Sequence, residues 1–213
     1  MINIQKEIKS KINELNYKDY NPKIIAISKT FKKSHILPLV KHGHLHFGEN
    51  KVQEAIEKWP EIKNQQSEIK LHMVGRLQTN KVKFALQVFD FIHSVDNIKL
   101  ARKISEEQKK YKKRPKIFIQ INIANEKQKS GISVNELETF YNSCKNLDLD
   151  LIGTMCLPPN NENSDIYFAE MQKINKNLKL NEASMGMSND YLNAIKYKST
   201  FVRIGTKIFG ERS

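Results

Sequence analysis

Cysteine is scarce in this chain of 213 residues, which contains only Cys144 and Cys156. Neither belongs to a CxxC pair, and no pair of histidines accompanies them at metal-ligand spacing, so no structural zinc or other metal site is predicted. Two isolated cysteines also fit a reducing compartment better than a disulfide-rich secreted protein. We therefore expect a cytoplasmic protein.

Long apolar runs are also missing. No stretch approaches the roughly 20 residues that a membrane-spanning helix needs. Residues 1–18 predict an amphipathic helix interrupted by Lys6, Lys9 and Lys11, and they lack the apolar centre of a secretion signal. These absences predict a soluble protein without a membrane partner.

Acidic residues are outnumbered, because 36 Lys and Arg stand against 23 Asp and Glu, giving a net charge of +13. Such an excess favours an anionic partner, which is either a phosphate ligand or a nucleic acid. The lysines are scattered through every segment and often neighbour glutamate, without an arginine-rich stripe. This distribution argues against nucleic acid.

The dinucleotide-binding fingerprint GxGxxG is absent after the first strand, and strand-like apolar runs alternate with helical patterns along the whole chain. The predicted strands are Lys23–Thr30, a short one ending in His46–Asn50, Ile69–Val74, Phe89–Val95, Lys116–Ile123, Leu151–Leu157, Ala183–Met185 and Thr200–Ile204. This alternation, without a Gly/Ser linker, predicts a single α/β domain over residues 1–213. We expect a (β/α)8 TIM-type barrel with an extra N-terminal helix, and an open doubly wound sheet is the alternative.

Two helix boundaries are predicted from local signals. A helix is expected over about 51–57, after the second strand. Ser133, with Glu136 three residues later, has the spacing of a capping box at the start of another helix.

Lys29 ends the first strand, where α/β folds collect their ligands. A lysine half-sheltered by apolar neighbours loses its proton more easily than a surface lysine, and the neutral amine can condense with an aldehyde to a Schiff base. The alternative is an ordinary solvated lysine, as most lysines of the chain must be.

Polar residues follow or end the other strands as well, and a barrel brings such residues together at one mouth. They are Glu49, Asn50, His72, His93, Ser94, Asn122, Cys156, Ser184, Ser188, Arg203, Gly205 and Thr206. We expect the site to be built from members of this set.

The segments after strands seven and eight have the features of a phosphate site. Ser188 stands just before a predicted helix, and Gly205 forms a glycine turn with the hydroxyl of Thr206 beside it. The alternative is that Ser188 is an N-cap and Gly205 an ordinary turn residue.

His42, His44 and His46 have a period of two that would put three imidazoles on one strand face. No carboxylate or cysteine completes a ligand set, so metal binding is disfavoured.

Several stretches together resemble one known family. They are ISKT (27–30), FGENKVQE (47–54), GRLQTNK (75–81), KSG (129–131), SMGMS (184–188) and RIGTKIFG (203–210). They are similar, in order and over nearly the whole chain, to the pyridoxal phosphate homeostasis (YggS/PROSC) family, which has the barrel of the alanine racemase N-terminal domain. Departures occur at Lys51, Cys156 and Lys207, outside the inferred centre of the site.

The resemblance implies a cofactor, pyridoxal 5'-phosphate (PLP), held as an internal aldimine on Lys29. It implies the phosphate contacts Ser188, Gly205 and Thr206, a pyridine contact from Arg203, and Asn50 in the pocket lining. A cation beside the ring nitrogen disfavours its protonation, which makes the cofactor a poor electron sink.

The function that the resemblance implies is vitamin B6 homeostasis with little or no catalysis, and apo-enzymes that use PLP are candidate partners. An amino-acid racemase with the same cofactor is the first alternative, and an aldolase-like enzyme using Lys29 on a sugar phosphate is another. Every tyrosine falls on a predicted helix or a flanking turn, so no second base for racemisation is expected at the mouth.

Overall fold

The computed structural model describes residues 1–159 and 162–211. Its strands are β1 (Lys23–Ile27), β2 (His46–Glu49), β3 (Lys70–Met73), β4 (Phe91–Val95), β5 (Lys116–Ile121), β6 (Asp150–Cys156), β7 (Glu182–Met187) and β8 (Phe201–Ile204). All pair in parallel and in chain order, and β8 returns to pair with β1 in a closed barrel. The predicted (β/α)8 barrel is therefore confirmed, and the open sheet is excluded.

Helices surround the barrel. They are α1 (Ile2–Glu14), α2 (Lys33–Lys41), α3 (Val52–Gln65), α4 (Val82–Val88), α5 (Ile98–Tyr111), α6 (Leu137–Asn146), α7 (Ser164–Leu178), α8 (Tyr191–Lys196) and α9 (Thr206–Phe209). The first of them, α1, precedes the barrel as predicted, whereas the single turn of α9 was not predicted. Within residues 1–159 and 162–211, no helix has both the length and the apolar character needed to cross a membrane.

Side chains along each strand alternate between the barrel interior and the helix layer. In β5, Ile117 and Ile119 pack in the large cluster shared with the helices, whereas Phe118 belongs to the interior. The other buried members of the interior cluster are Ile25, Phe91, Met155 and Phe201. Burial of both strand faces explains why the strands are continuous apolar runs in the sequence.

The helix α3 runs to Gln65, well beyond the predicted end at Glu57, and it carries Pro60 in its interior. Proline there lacks the N–H of a helical hydrogen bond, a defect that costs about 3 kcal/mol. Trp59 and Ile62 beside it are buried, so tertiary packing maintains this helix.

The capping box expected at Ser133 does not form. The Ser133 hydroxyl meets Oε2 of Glu136 at 2.5 Å and makes no cap to a backbone N–H. A single turn of 3-10 helix occupies Val134–Glu136, and α6 begins only after it.

The seam between β1 and β8 is covered by the start of the chain. Isoleucines of α1 pack in one apolar cluster with residues of β1, β8 and α8. Just before β1, the hydroxyls of Tyr17 and Tyr20 donate to the carbonyl oxygens of Lys196 and Ser199, each at 2.6 Å. The first and last parts of the barrel are therefore joined by direct contacts.

Candidate functional site

A cavity of about 430 Å³ opens at the carboxyl ends of β1, β7 and β8. The segments after these strands form one side of it, and the start of α7 forms another. The wall includes most of the residues predicted for the site, namely Lys29, Ser188, Arg203, Gly205 and Thr206. Closure of the barrel thus brings residues from the two ends of the sequence into one wall.

Asn50, the remaining predicted residue, is not among those that line this cavity. It follows β2, the neighbour of β1, and is half-buried. A Cβ added at Gly75 would come within 2.4 Å of the Asn50 carbonyl oxygen. The glycine therefore lets the segments after β2 and β3 approach closely, and Asn50 stays at the mouth but outside the cavity wall.

Lys29 is half-buried, and both of its neighbours are held in place. The Ser28 hydroxyl donates to Oε1 of the buried Glu49 at 2.8 Å. The Thr30 N–H donates to Oε1 of Glu54 at 2.5 Å, and Thr30 has a φ of 69°, in the left-handed region. The backbone that carries Lys29 is therefore fixed on either side.

Lys58 of α3 joins these contacts into one network. Its Nζ lies 2.7 Å from Glu49 Oε1 and 2.8 Å from Glu54 Oε1, and it donates to the Ser28 carbonyl oxygen at 2.9 Å. Burial raises the pKa of the Glu49 carboxyl, while hydrogen bonds from Lys58, Trp59 and Ser28 act to lower it. The sequence analysis missed Lys58, because nothing local distinguishes it from the many solvated lysines.

Arg203 projects from β8 and is buried at the base of the cavity wall. Its Nη1 donates to Ser184 Oγ at 2.7 Å, and its Nη2 donates to the Cys156 carbonyl oxygen at 2.8 Å. Burial lowers the pKa of this guanidinium, which nevertheless stays charged in proteins. Because the guanidinium is rigid and planar, these two bonds set the direction of its other N–H donors.

The segments after β7 and β8 meet where the Gly205 N–H donates to Ser188 Oγ at 3.4 Å. The next helix, α8, begins at Tyr191, and Asp190 precedes it. The interpretation of Ser188 as a helix N-cap is therefore wrong. Asp190 instead accepts the N–H of Met187 at 2.6 Å, which folds the segment back toward the cavity.

Two other residues predicted at strand ends, Asn122 and Cys156, do not line the cavity. The Asn122 side chain bonds the backbone of its own loop at Glu126. Cys156 gives its carbonyl oxygen to the site, but its thiol is buried, and burial raises the pKa of that thiol to about 12. Such a thiol is not a nucleophile at neutral pH.

His72 and His93, which the sequence analysis placed among the residues at the mouth, lie fully buried within the barrel. Their rings stack on Phe91 and Phe118 respectively, with centroids 4.2 Å apart in each pair. They occupy inward positions inside β3 and β4 rather than the segments after them. Burial lowers the pKa of both imidazoles well below the ordinary value.

The expectation of three imidazoles on one strand face is wrong. His42 directly follows α2, His44 lies in the segment between α2 and β2, and only His46 belongs to β2. Among the residues that the structure describes, no three His, Cys, Asp or Glu side chains are grouped to hold a metal ion.

The closed barrel has a lysine after its first strand and an arginine in its last strand. Its fold can be compared with those of known protein classes. The family model described as "Alanine racemase, N-terminal domain" matches residues 5–213. An alanine racemase of Clostridium difficile superposes with a TM-score of 0.70 at 15% identity, covering 98% of this chain and 56% of that one. That likeness is one of fold alone.

Relatives in sequence identify the family within this class. The pyridoxal phosphate homeostasis protein of Haemophilus influenzae is 35% identical over 221 residues, which cover 99% of this chain and 93% of the relative. The protein of that name from Aquifex aeolicus is 34% identical, over 89% of this chain and 87% of its own length. PipY of Synechococcus elongatus, solved with PLP bound, has a TM-score of 0.79 at 29% identity and covers 95% of this chain and 100% of that one. The chain belongs to the pyridoxal phosphate homeostasis protein family, as its motifs indicated.

Proposed function

We propose that this protein binds PLP as a Schiff base on Lys29 and serves intracellular vitamin B6 homeostasis, with little or no catalysis. The observation that carries the proposal is a single cavity wall containing a lysine, a guanidinium and two hydroxyl-bearing segments. The PLP complex of PipY and the names of the sequence relatives support this choice of cofactor and role.

The side chains present fit PLP group by group. Lys29 supplies an amine for the aldehyde, and Ser188, Gly205 and Thr206 supply hydroxyl and N–H donors for the phosphate. Arg203 has donors only, so it would hydrogen-bond an unprotonated ring nitrogen. When bound, PLP supplies an electron sink, and this contact keeps that sink weak because it disfavours a protonated ring.

The rest of the proposal concerns the surroundings of the site. We propose that Asn50 completes it from the side of β2, and that residues 1–213 act as one domain in the cytoplasm. Apo-enzymes that use PLP are the proposed recipients of the cofactor, a role that the family's name supports.

Replacement of the lysine tests the proposal directly. Lys29→Ala should abolish the visible absorption of a pyridoxal Schiff base, and borohydride reduction followed by mass spectrometry should find no pyridoxyl adduct. Lys32→Ala, which removes an exposed lysine three residues away, is the matched control and should behave as wild type. Full retention of the band in Lys29→Ala would refute the assignment.

A racemase is the second candidate, and one contact bears on it. The hydroxyl of Tyr167, on α7, hydrogen-bonds Glu162 of the cavity wall. This contact raises the pKa of Tyr167 and engages its hydroxyl with a carboxylate. Tyr167 itself is not among the residues that line the cavity.

Chiral chromatography distinguishes the two candidates. We expect no optical inversion when the PLP-loaded protein is incubated with single enantiomers of alanine or serine. Turnover near the typical enzyme rate of about 10 per second, lost in Lys29→Ala, would establish a racemase instead.

A further inference from the structure

A line of polar side chains crosses the barrel interior from the amino-terminal end of β2 to Arg203. Nδ1 of His46 lies 2.9 Å from Nε2 of His72, and Nδ1 of His72 lies 2.9 Å from Nε2 of His93. Nδ1 of His93 in turn lies 2.9 Å from Ser184 Oγ, which accepts from Arg203. His72, His93 and Ser184 are completely buried.

Donor chemistry determines the direction of these hydrogen bonds. Arg203 has no acceptor, so Ser184 accepts from it and can give its one hydroxyl hydrogen to Nδ1 of His93. A neutral His93 then carries its hydrogen on Nε2 and donates to His72, which donates to His46 for the same reason. In the opposite direction Ser184 would accept twice, and its own hydrogen would have no partner among the hydrogen bonds of the described residues.

Charges at both ends keep the imidazoles neutral. The guanidinium of Arg203 disfavours a second positive charge on His93, and Lys23 and Lys70 have the same effect on His46. Burial acts in the same direction and is the largest cause of the lowered pKa at each imidazole. His93 and His72 therefore each accept from one neighbour and donate to the next, and His46 accepts from His72.

We propose that Ser184, His93, His72 and His46 are positioning residues for Arg203. These hydrogen bonds present the Ser184 oxygen to Nη1 of Arg203 in one orientation, and a backbone carbonyl holds Nη2. The remaining donors of Arg203 therefore point toward the cavity. This inference rests on the proposed contact between Arg203 and the PLP ring nitrogen. The contact is then controlled by the imidazoles of His46, His72 and His93, which lie inside the barrel.

Packing alone does not account for this line of hydrogen-bonded side chains. Phe91, Phe118 and Phe201 fill the same interior, and apolar rings avoid the cost of desolvating polar groups. A buried polar network is stabilising only when its members satisfy one another. Here the network ends at the guanidinium of Arg203, which borders the cavity. The polar side chains therefore act on a charged group of the site.

The direction of these hydrogen bonds can be measured in the protein without PLP. Two-bond 1H–15N NMR spectra of 15N-histidine-labelled protein at pH 7 distinguish the two neutral tautomers and the imidazolium. We expect the Nε2–H tautomer at His46, His72 and His93. An Nδ1–H ring or an imidazolium at any of the three would overturn the proposal.

A serine pair tests the effect on Arg203. Ser94 of β4 is as deeply buried as Ser184, and its hydroxyl has no hydrogen-bond partner within the described part of the chain, so Ser94→Ala is the matched control. Ser184→Ala should weaken PLP binding about tenfold, the order of one lost charge-assisted hydrogen bond. It should also move the ring-nitrogen resonance of bound 15N-labelled PLP, and Ser94→Ala should do neither.

Equal affinity and an equal resonance in the two serine variants would refute the positioning role. Failure of the proposed function has a different signature, which is a wild-type protein without a Schiff-base band. The tautomer measurement still tests the direction of the hydrogen bonds that reach Arg203 in that case, and it tests the proposal if Ser184→Ala does not fold.

Discussion

The mouth and the interior of the barrel are both rich in polar groups, but their environments differ. At the mouth, Ser188 is half-buried and Thr206 is exposed, and both stand on segments that follow strands. Inside, His72 and His93 are fully buried and bonded one to the next. Groups near water can exchange it for a ligand at small cost, whereas buried groups must satisfy one another. Arg203 belongs to both regions and links them.

Lowering the pH should destabilise the folded protein through the buried histidines of the interior. This is the largest effect that we expect. The folded-state pKa is lowered for His72 and His93, and to about 4 for His46, against an ordinary value of 6.5. Between these values the unfolded chain binds protons that the folded chain does not. The free energy of unfolding should therefore fall as the pH drops below about 6.5, by about 1.4 kcal/mol per pH unit for each fully buried histidine.

Urea denaturation at pH 7.5, 6.0 and 5.2 measures this dependence. His35→Gln, which removes an exposed histidine outside the barrel interior, is the comparison variant. A free energy of unfolding that is flat from pH 7.5 to 5.2 would contradict the neutral, buried state of the imidazoles.

Truncation of an interior ring should come next in size. Phe201→Ala removes a buried ring that packs on Phe91, Phe118 and His72 with centroids 5.5 to 5.7 Å apart. The free energy of unfolding should fall by about 3–5 kcal/mol. Thermal and urea denaturation measure it, with the partly exposed Phe209→Ala as a milder comparison. A loss below about 1 kcal/mol would show that the interior is not tightly packed.

Substitutions at the mouth should have the smallest effect, and on binding rather than stability. Ser188→Ala and Thr206→Ala should each weaken PLP binding by about 1–3 kcal/mol, because each deletes a hydrogen bond that we propose to the charged phosphate. Their stability should change by no more than about 0.5 kcal/mol. Titration of the apo-protein with PLP measures the affinity, and the exposed Ser34→Ala is the control. Unchanged affinity in both variants would move the phosphate elsewhere.

The sequence predicts the barrel well because the signal repeats along the chain. Apolar strand patterns that alternate with helical patterns recur eight times, and the order of elements follows directly. The same reasoning misplaced His72 and His93, since it assigned polar residues of a strand to its end. Inside a barrel, inward positions of neighbouring strands meet one another, and only the closed sheet shows that these imidazoles are aligned.

Other features depend on contacts between distant parts of the chain. Lys58 supports the lysine segment only because the fold brings α3 to the residues that follow β1, and α3 continues through Pro60 because its neighbours are buried. The role of Asp190 before α8 likewise follows from its bond to Met187. Local patterns carry no information on such contacts, so these features were missed or misread.

The seam between β1 and β8 has a consequence for biosynthesis. Lys29 follows one of these strands and Arg203 lies in the other, and the tyrosine bonds across the seam join residues 179 positions apart in the sequence. Contacts of this separation form late, because a long segment must be ordered before they can stabilise it. A chain still on the ribosome, with β8 not yet emerged, has the lysine but neither Arg203 nor the segment around Gly205. The proposed PLP site is therefore complete only when β8 has closed the barrel against β1.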